Sequence, residues 1–194
     1  MLQFIAEEND NYSIPEQVQM AIEGGCRWVL LNVPLMTDED IREIARELIP
    51  LCKEHEVMLT IVDHVELAKE MAIHGTLLHK SEYTVAQARD FCGPEAIIGV
   101  IIDKPEDLLP LMGVDVDFAA FTRDTPVDIL RAYVSSIRDG GMMIPLVAYG
   151  DYGLDAIKDV MSTGVSGLAL AHTITDNLNP VDTTKNILLE LNTK

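Results

Sequence analysis

Positive charge is what this chain lacks most: 14 Lys and Arg stand against 32 Asp and Glu, a formal net charge of −18 over 194 residues. A nucleic-acid backbone or an anionic membrane surface would be repelled at long range by such a surface. The acidic residues are spread among helices and form no tail, which assigns them to solubility. Cysteine is nearly absent. Cys26, Cys52 and Cys92 are odd in number and have no C-x-x-C or His-paired spacing, which excludes a disulfide framework and a structural zinc site and leaves buried thiols. No apolar stretch approaches the length of a membrane span. The opening MLQFIAEEND has no basic n-region and no long apolar core, so the expected location is the cytoplasm. Also missing is a G-x-G-x-x-G after the first strand, and with it the usual mark of a dinucleotide-binding sheet.

Apolar residues are plentiful, at 48%, and residues 1–194 suit a single domain with a substantial core. Short apolar runs predict strands at Leu2–Ala6, Trp28–Val33, Val57–Val62, Gly75–His79, Ala96–Ile102, Asp117–Phe121, Ile144–Ala148 and Gly167–Ala171. Between them lie helical patterns. Ser13 with Pro15 and Glu16 has the form of a capped helix start, and Gly24 and Gly25 end that helix. Thr37 and Asp40 open a long helix in which Ile41, Ile44, Ala45, Leu48, Ile49 and Cys52 recur at helical spacing. Further helices are predicted over Val65–Ala72, Thr84–Phe91, Lys104–Met112, Pro126–Arg138, Leu154–Met161 and Val181–Leu191. Strict alternation of strand and helix demands a parallel sheet, and strands apolar on both faces demand cover on both. Eight such units in a chain of this length predict a (β/α)8 barrel.

In that fold the functional groups lie where the strands end. His64, His79 and His172 fall there and are the candidate acid–base catalysts, whereas His55 and His74 fall near the other face. Glu7, Asp63, Glu82, Asp103, Asp124 and Asp151 share the histidines' face, with Arg123, Lys80 and Lys104 as nearby cations. Tyr149 and Tyr152 straddle the seventh strand end, and Trp28 is expected in the core. The turns after the last two strands are where a barrel commonly binds phosphate through backbone N–H groups, and Gly150 and Gly167 serve either such a site or a turn and close helix-to-strand packing. Asp151, directly after Gly150, opposes phosphate binding.

The runs CRWVLLN, LCKEHEVMLTIVDHVELA, GPEAIIGVIID and IPLVAYGDYG followed by GVSGLALAHTI resemble thiamin phosphate synthases and their TenI-like relatives, in order, along essentially the whole chain. The resemblance implies a transferase that joins hydroxymethyl-pyrimidine diphosphate to thiazole phosphate with Mg²⁺, or an isomerase of the thiazole phosphate, hence a small phosphorylated or heterocyclic ligand. It also implies site positions. The family's Q-L-R-x-K on strand two stands here as Leu30, Leu31, Asn32, Val33 and Pro34, so Asn32 is the polar residue left to meet substrate. Of N-D-R after strand three, Asp63 remains, and G-V-H-L-G-Q-x-D after strand four ends here on Glu82; Asp63 and Glu82 are the implied Mg²⁺ ligands. The family Ser of strand five is Ile101. Its G-P-V-F-P-T-x-T-K loop is shortened to Thr122, Arg123, Asp124, Thr125 and Pro126, without the lysine. A-x-G-G-I becomes Ala148, Tyr149, Gly150, Asp151 and Tyr152, and the phosphate-binding Ser becomes His172. Arg123, Tyr149, Gly150 and Gly167 complete the expected substrate and phosphate positions. With so many cations missing, the expected coupling activity is reduced by about a thousandfold or more; the alternative is a family member that has become a pseudoenzyme, a ligand-binding or partner protein. Monomer and homo-oligomer both remain open.

Overall fold

The computed structural model describes residues 1–192. Eight strands, β1 (Leu2–Ala6), β2 (Trp28–Leu31), β3 (Met58–Val62), β4 (Gly75–Leu78), β5 (Ile97–Ile102), β6 (Phe118–Phe121), β7 (Leu146–Gly150) and β8 (Gly167–Leu170), pair in parallel with their sequence neighbours. The sheet closes on itself where Leu2 meets Leu168 and Phe4 meets Leu170, so no edge is left unpaired. This is the expected (β/α)8 barrel. Helices α1 (Ile14–Glu23), α2 (Asp38–Glu54), α3 (Val65–Glu70), α4 (Val85–Cys92), α5 (Val127–Asp139), α6 (Ile157–Met161), α7 (His172–Thr175) and α8 (Pro180–Asn192) follow the strands.

Alternation along each strand divides the core in two. Ile5, Leu30, Val62, Leu77, Phe118, Ala120, Val147, Tyr149 and Ala169 pack together inside the barrel, with Trp28 edge-on to Phe118 at 5.4 Å. Their neighbours in sequence, such as Phe4, Leu31, Ile61, Ile98, Phe121 and Leu170, pack outward against the helices. Full burial of one such Leu, Ile or Phe contributes about 1.5–3 kcal/mol. The same alternation carries on past the strand ends, so a polar residue one or two positions further on faces the barrel axis. That is how Glu7 and Asn32 reach the mouth.

Helix starts follow the sequence closely. Ser13 and Glu16, Thr37 and Asp40, and Thr84 and Gln87 each close a reciprocal capping box. Four expectations shift. Residues 105–111 form a 3₁₀ helix, because Pro110, inside the segment, removes an N–H donor that an α-helix needs. The expected helix over 154–161 is a 3₁₀ turn, Leu154–Ala156, leading into the short α6. β7 starts two residues later than expected and runs on to Gly150. A short helix, α7, directly after β8 was not foreshadowed by any capping or periodic signal. Among the described residues, no helix is long and apolar enough to cross a membrane.

Candidate functional site at the strand-end mouth

The polar residues that follow β1, β2, β6, β7 and β8 converge on a single guanidinium. Arg123 extends from the loop after β6, where Nη1 and Nη2 donate to the two carboxylate oxygens of Glu7 at 2.9 and 2.8 Å. Nη2 also donates to Oδ2 of Asp151, and Nε lies 4.0 Å from the exposed carboxylate of Asp124. Glu7 is further held by Asn32, whose Nδ2 donates to it at 2.9 Å, and by Nε2 of His172 at 3.2 Å. The other ring nitrogen of His172, Nδ1, lies 3.5 Å from Asp176. Tyr149 lies alongside, its ring centroid 5.9 Å from the guanidinium carbon.

Partial burial gives these contacts weight. The side chains of Glu7, Asp151 and Arg123 are 13%, 23% and 32% exposed, so the charges attract one another with less screening than surface pairs would. Burial lowers the affinity of Arg123 for its proton, but the bonds to Glu7 and Asp151 outweigh that, and its pKa rises well above the usual value. At Asp151 burial pushes the pKa up. The bond and charge of Arg123, with the Thr173 N–H, more than offset that and hold the carboxyl below its ordinary value. Burial, aided by the charges of Glu7 and Asp151, raises the Tyr149 hydroxyl to about 12.

The loops around this cluster are stitched by their own side chains. Oδ1 of Asp124 accepts the backbone N–H of Asp151 at 2.6 Å, and Oδ1 of Asp151 accepts that of Thr173 at 3.2 Å. The Tyr152 hydroxyl donates to the Thr125 carbonyl, and the Thr173 hydroxyl donates to the Tyr152 carbonyl. Gly150 makes the first of these bonds possible. Its φ is +145°, and a Cβ there would sit 2.2 Å from Oδ1 of Asp124.

The remaining expected site residues are placed differently. Asp63, at φ +62°, turns back across the neighbouring strand end, where its two oxygens accept the backbone N–H groups of His79 and Lys80 at 2.6 and 2.9 Å. Glu82 and His79 are exposed on the same side of the mouth. His64 starts α3, with Nδ1 3.9 Å from Asp38 of α2, apart from the Arg123 cluster. Gly167 opens β8 and therefore lies at the opposite end of the barrel from Gly150. A Cβ there would meet the Met1 carbonyl oxygen at 2.5 Å, so close packing at the barrel base accounts for that glycine, and it is removed from the phosphate positions. His74 stands at the base too, its Nδ1 accepting the Leu59 N–H. Glu7 and Asp151 are the residues whose central position sequence reasoning missed. The available signal was the unlike charge of Arg123 among acids that each follow a strand end.

Glu7, Asp151 and His172 form the one cluster of three potential metal ligands within 4.8 Å among the described residues. The guanidinium of Arg123 already rests on both carboxylates there. Asp63 suits Mg²⁺ better. It is a hard oxygen ligand, fixed by two amides, with lone pairs left on each oxygen, and Mg²⁺ usually takes only one or two carboxylates and keeps several waters.

Taken together, the closed parallel barrel and the polar residues gathered at its carboxyl-end mouth define a (β/α)8 barrel protein. The sequence narrows this further. A sequence profile of the family described as thiamine monophosphate synthase matches residues 2–174. The thiamine-phosphate synthase of Bacteroides fragilis is 36% identical, over 96% of this chain and 98% of its own. That of Bacteroides thetaiotaomicron is 35% identical, over 96% and 95%. In three dimensions the thiamine phosphate pyrophosphorylase of Pyrococcus furiosus superposes with a TM-score of 0.85, covering 98% of this chain and 96% of that one at 23% identity. Orotidine 5′-phosphate decarboxylase of Pyrococcus horikoshii shares the fold alone, with a TM-score of 0.74 at 13% identity over the full length of both chains. The chain belongs to the thiamin phosphate synthase and TenI family.

Proposed function

We propose that this protein works in thiamin biosynthesis in the cytoplasm, and that its mouth binds a heterocyclic ligand of the thiazole or pyrimidine class. Near-full-length identity to thiamine-phosphate synthases supports the pathway. Electrostatics support the location. Two carboxylates close on one guanidinium, so the cluster keeps a net negative charge. Alkylation makes the nitrogen of a thiazole cationic, and a negative mouth favours that product.

The observation that carries the expected loss of turnover is the state of Arg123. Both Nη atoms already donate to Glu7 or Asp151, so a diphosphate reaching the remaining N–H groups would meet two bonded carboxylates. Strand two offers Asn32 where the family pattern has cations. Each charge-assisted hydrogen bond to a leaving diphosphate is worth about 1.5–3 kcal/mol, and each ~1.4 kcal/mol is tenfold in rate. Coupling of the pyrimidine diphosphate to the thiazole phosphate is therefore slower than in an intact family enzyme by at least about a thousandfold. Purified protein, both substrates and excess Mg²⁺, with thiamin phosphate converted to a fluorescent product, tests this. Turnover near ~1 s⁻¹, an ordinary enzyme rate, would show that the substituted residues had rebuilt the site.

Asp63, helped by Glu82, would hold Mg²⁺, which when bound offsets charge on a departing diphosphate. Asn32 and His172 fix Glu7, and Glu7 fixes Arg123, so these contacts set the arrangement of polar groups at the mouth. Calorimetric titration with Mg²⁺ should give heat from the parent protein that is lost in Asp63→Ala. Equal heats would remove Asp63 from the site. The spent guanidinium equally favours a second reading, a family member that binds a heterocycle or a partner without turning it over.

A further inference from the structure

The loops after β7 and β8 present backbone N–H groups towards the mouth, the arrangement that in many barrels holds a phosphate. In this chain two of those donors, the amides of Asp151 and Thr173, are used internally. The Asp151 N–H goes to Oδ1 of Asp124 at 2.6 Å, the Thr173 N–H goes to Oδ1 of Asp151 at 3.2 Å, and Nη2 of Arg123 goes to Oδ2 of Asp151. The Asp151 carboxylate thus bridges a backbone amide and a guanidinium, the pair of donors a phosphate would bridge. We propose that Asp151 is the specificity-determining residue of the mouth: a built-in anion that fills the phosphate position, so that the thiazole-side ligand is taken as its uncharged alcohol and not as its phosphate ester. The ligand class rests on the thiamin reading above; the filled anion position does not.

Three features carry this. The first is that Asp151 is anchored from both sides, so an incoming phosphate must displace a partly buried, doubly bonded carboxylate. The second is the surrounding charge. Glu7 accepts from both Nη atoms of Arg123 and Asp124 lies 4.0 Å from its Nε, so a phosphate reaching the guanidinium would meet two further carboxylates. The third is Gly150, whose missing Cβ leaves the space in which Asp124 caps the Asp151 amide; the closed form of the loop is built into the backbone. An alcohol suits what is left. Carboxylate oxygens keep acceptor lone pairs after two or three bonds, and a hydroxyl donates to them without bringing charge.

The test is calorimetric titration of the parent protein, Asp151→Ser and Asp151→Asn with three probes: the thiazole alcohol, its phosphate ester and inorganic phosphate. Asp151→Asn keeps an acceptor for the Thr173 N–H while removing the charge and the acceptor for Arg123, so it guards against a loop that fails to form in Asp151→Ser. The parent protein should bind the alcohol at least about tenfold more tightly than the ester and give no heat with millimolar phosphate. Both variants should gain ester affinity by about tenfold or more and give measurable heat with phosphate, while alcohol affinity stays level or falls. Tighter binding of the ester than the alcohol by the parent would overturn the proposal. So would folded variants whose phosphate and ester heats match the parent's. If phosphate binding appears in the variants but neither thiazole compound binds any of the three proteins, the thiamin reading and the alcohol fall, and Asp151 stands as the internal anion.

Discussion

Arg123 decides what the mouth can bind, and its partners decide what Arg123 can do. A guanidinium facing solvent would attract a diphosphate; one clasped by Glu7 and Asp151 contributes shape more than charge. The clasp has a pH signature. Burial raises the Asp151 pKa, but Arg123 and the Thr173 amide together lower it further, so the folded value lies below the unfolded one. A carboxyl of that kind stabilises the fold at pH above the unfolded value of about 3.9, and its contribution is lost as pH falls through the folded value. The stability difference between the parent and Asp151→Asn, from urea midpoints, should hold steady from about pH 7 to about pH 5 and shrink below about pH 4. A difference that stays constant down to about pH 2.5 would show that Asp151 is not paired. At this scale the sequence was informative about residue type and poor about partners. Arg123, Asn32, Tyr149 and His172 do meet, because each follows or ends a strand. Gly167 looked like Gly150 only because both are glycines beside a strand; one begins its strand and the other ends one.

Element boundaries were legible where the chain carries chemical punctuation. Ser13, Thr37 and Thr84 cap their helices as their spacing to Glu16, Asp40 and Gln87 demands. Periodicity alone was a weaker guide: Pro110 turned an apparent helix into 3₁₀ geometry, and α7, one turn long, has no period to read. Nor could sequence reveal that the loop after β7 is shaped by Asp124, twenty-six residues before Gly150, because that contact exists only when β6 and β7 pair. Two glycines separate the effects. Gly150→Ala adds a Cβ 2.2 Å from Oδ1 of Asp124 at φ +145°, while Gly93→Ala, at φ +100°, meets nothing within 4 Å. The first should cost roughly 3 kcal/mol or more and lower the melting temperature by about 6–12 °C; the second should cost about 1–2 kcal/mol, the backbone term alone. Equal losses in thermal melts would mean that Asp124 moves aside freely.

Across the whole molecule, closure of the sheet and excess acid act together. The closed barrel brings the ends of β1 and β8 side by side, which is what lets Glu7 and His172, 165 positions apart in sequence, share one site. The alternation of strands and helices made this closure readable from the sequence, since eight units of that length have few other ways to cover both faces of a parallel sheet. The formal charge of −18 explains why a single guanidinium is so fully engaged: basic side chains are outnumbered more than two to one, and Arg123 lies among acids from three strand ends. A crystal soaked with pyrophosphate and Mg²⁺ tests most directly that this cation is spent. The expected map shows Arg123 still bonded to Glu7 and Asp151, with any added density on the Asp63 side of the mouth. Pyrophosphate between the β7 and β8 loops, with Arg123 turned away from Glu7 to meet it, would contradict that.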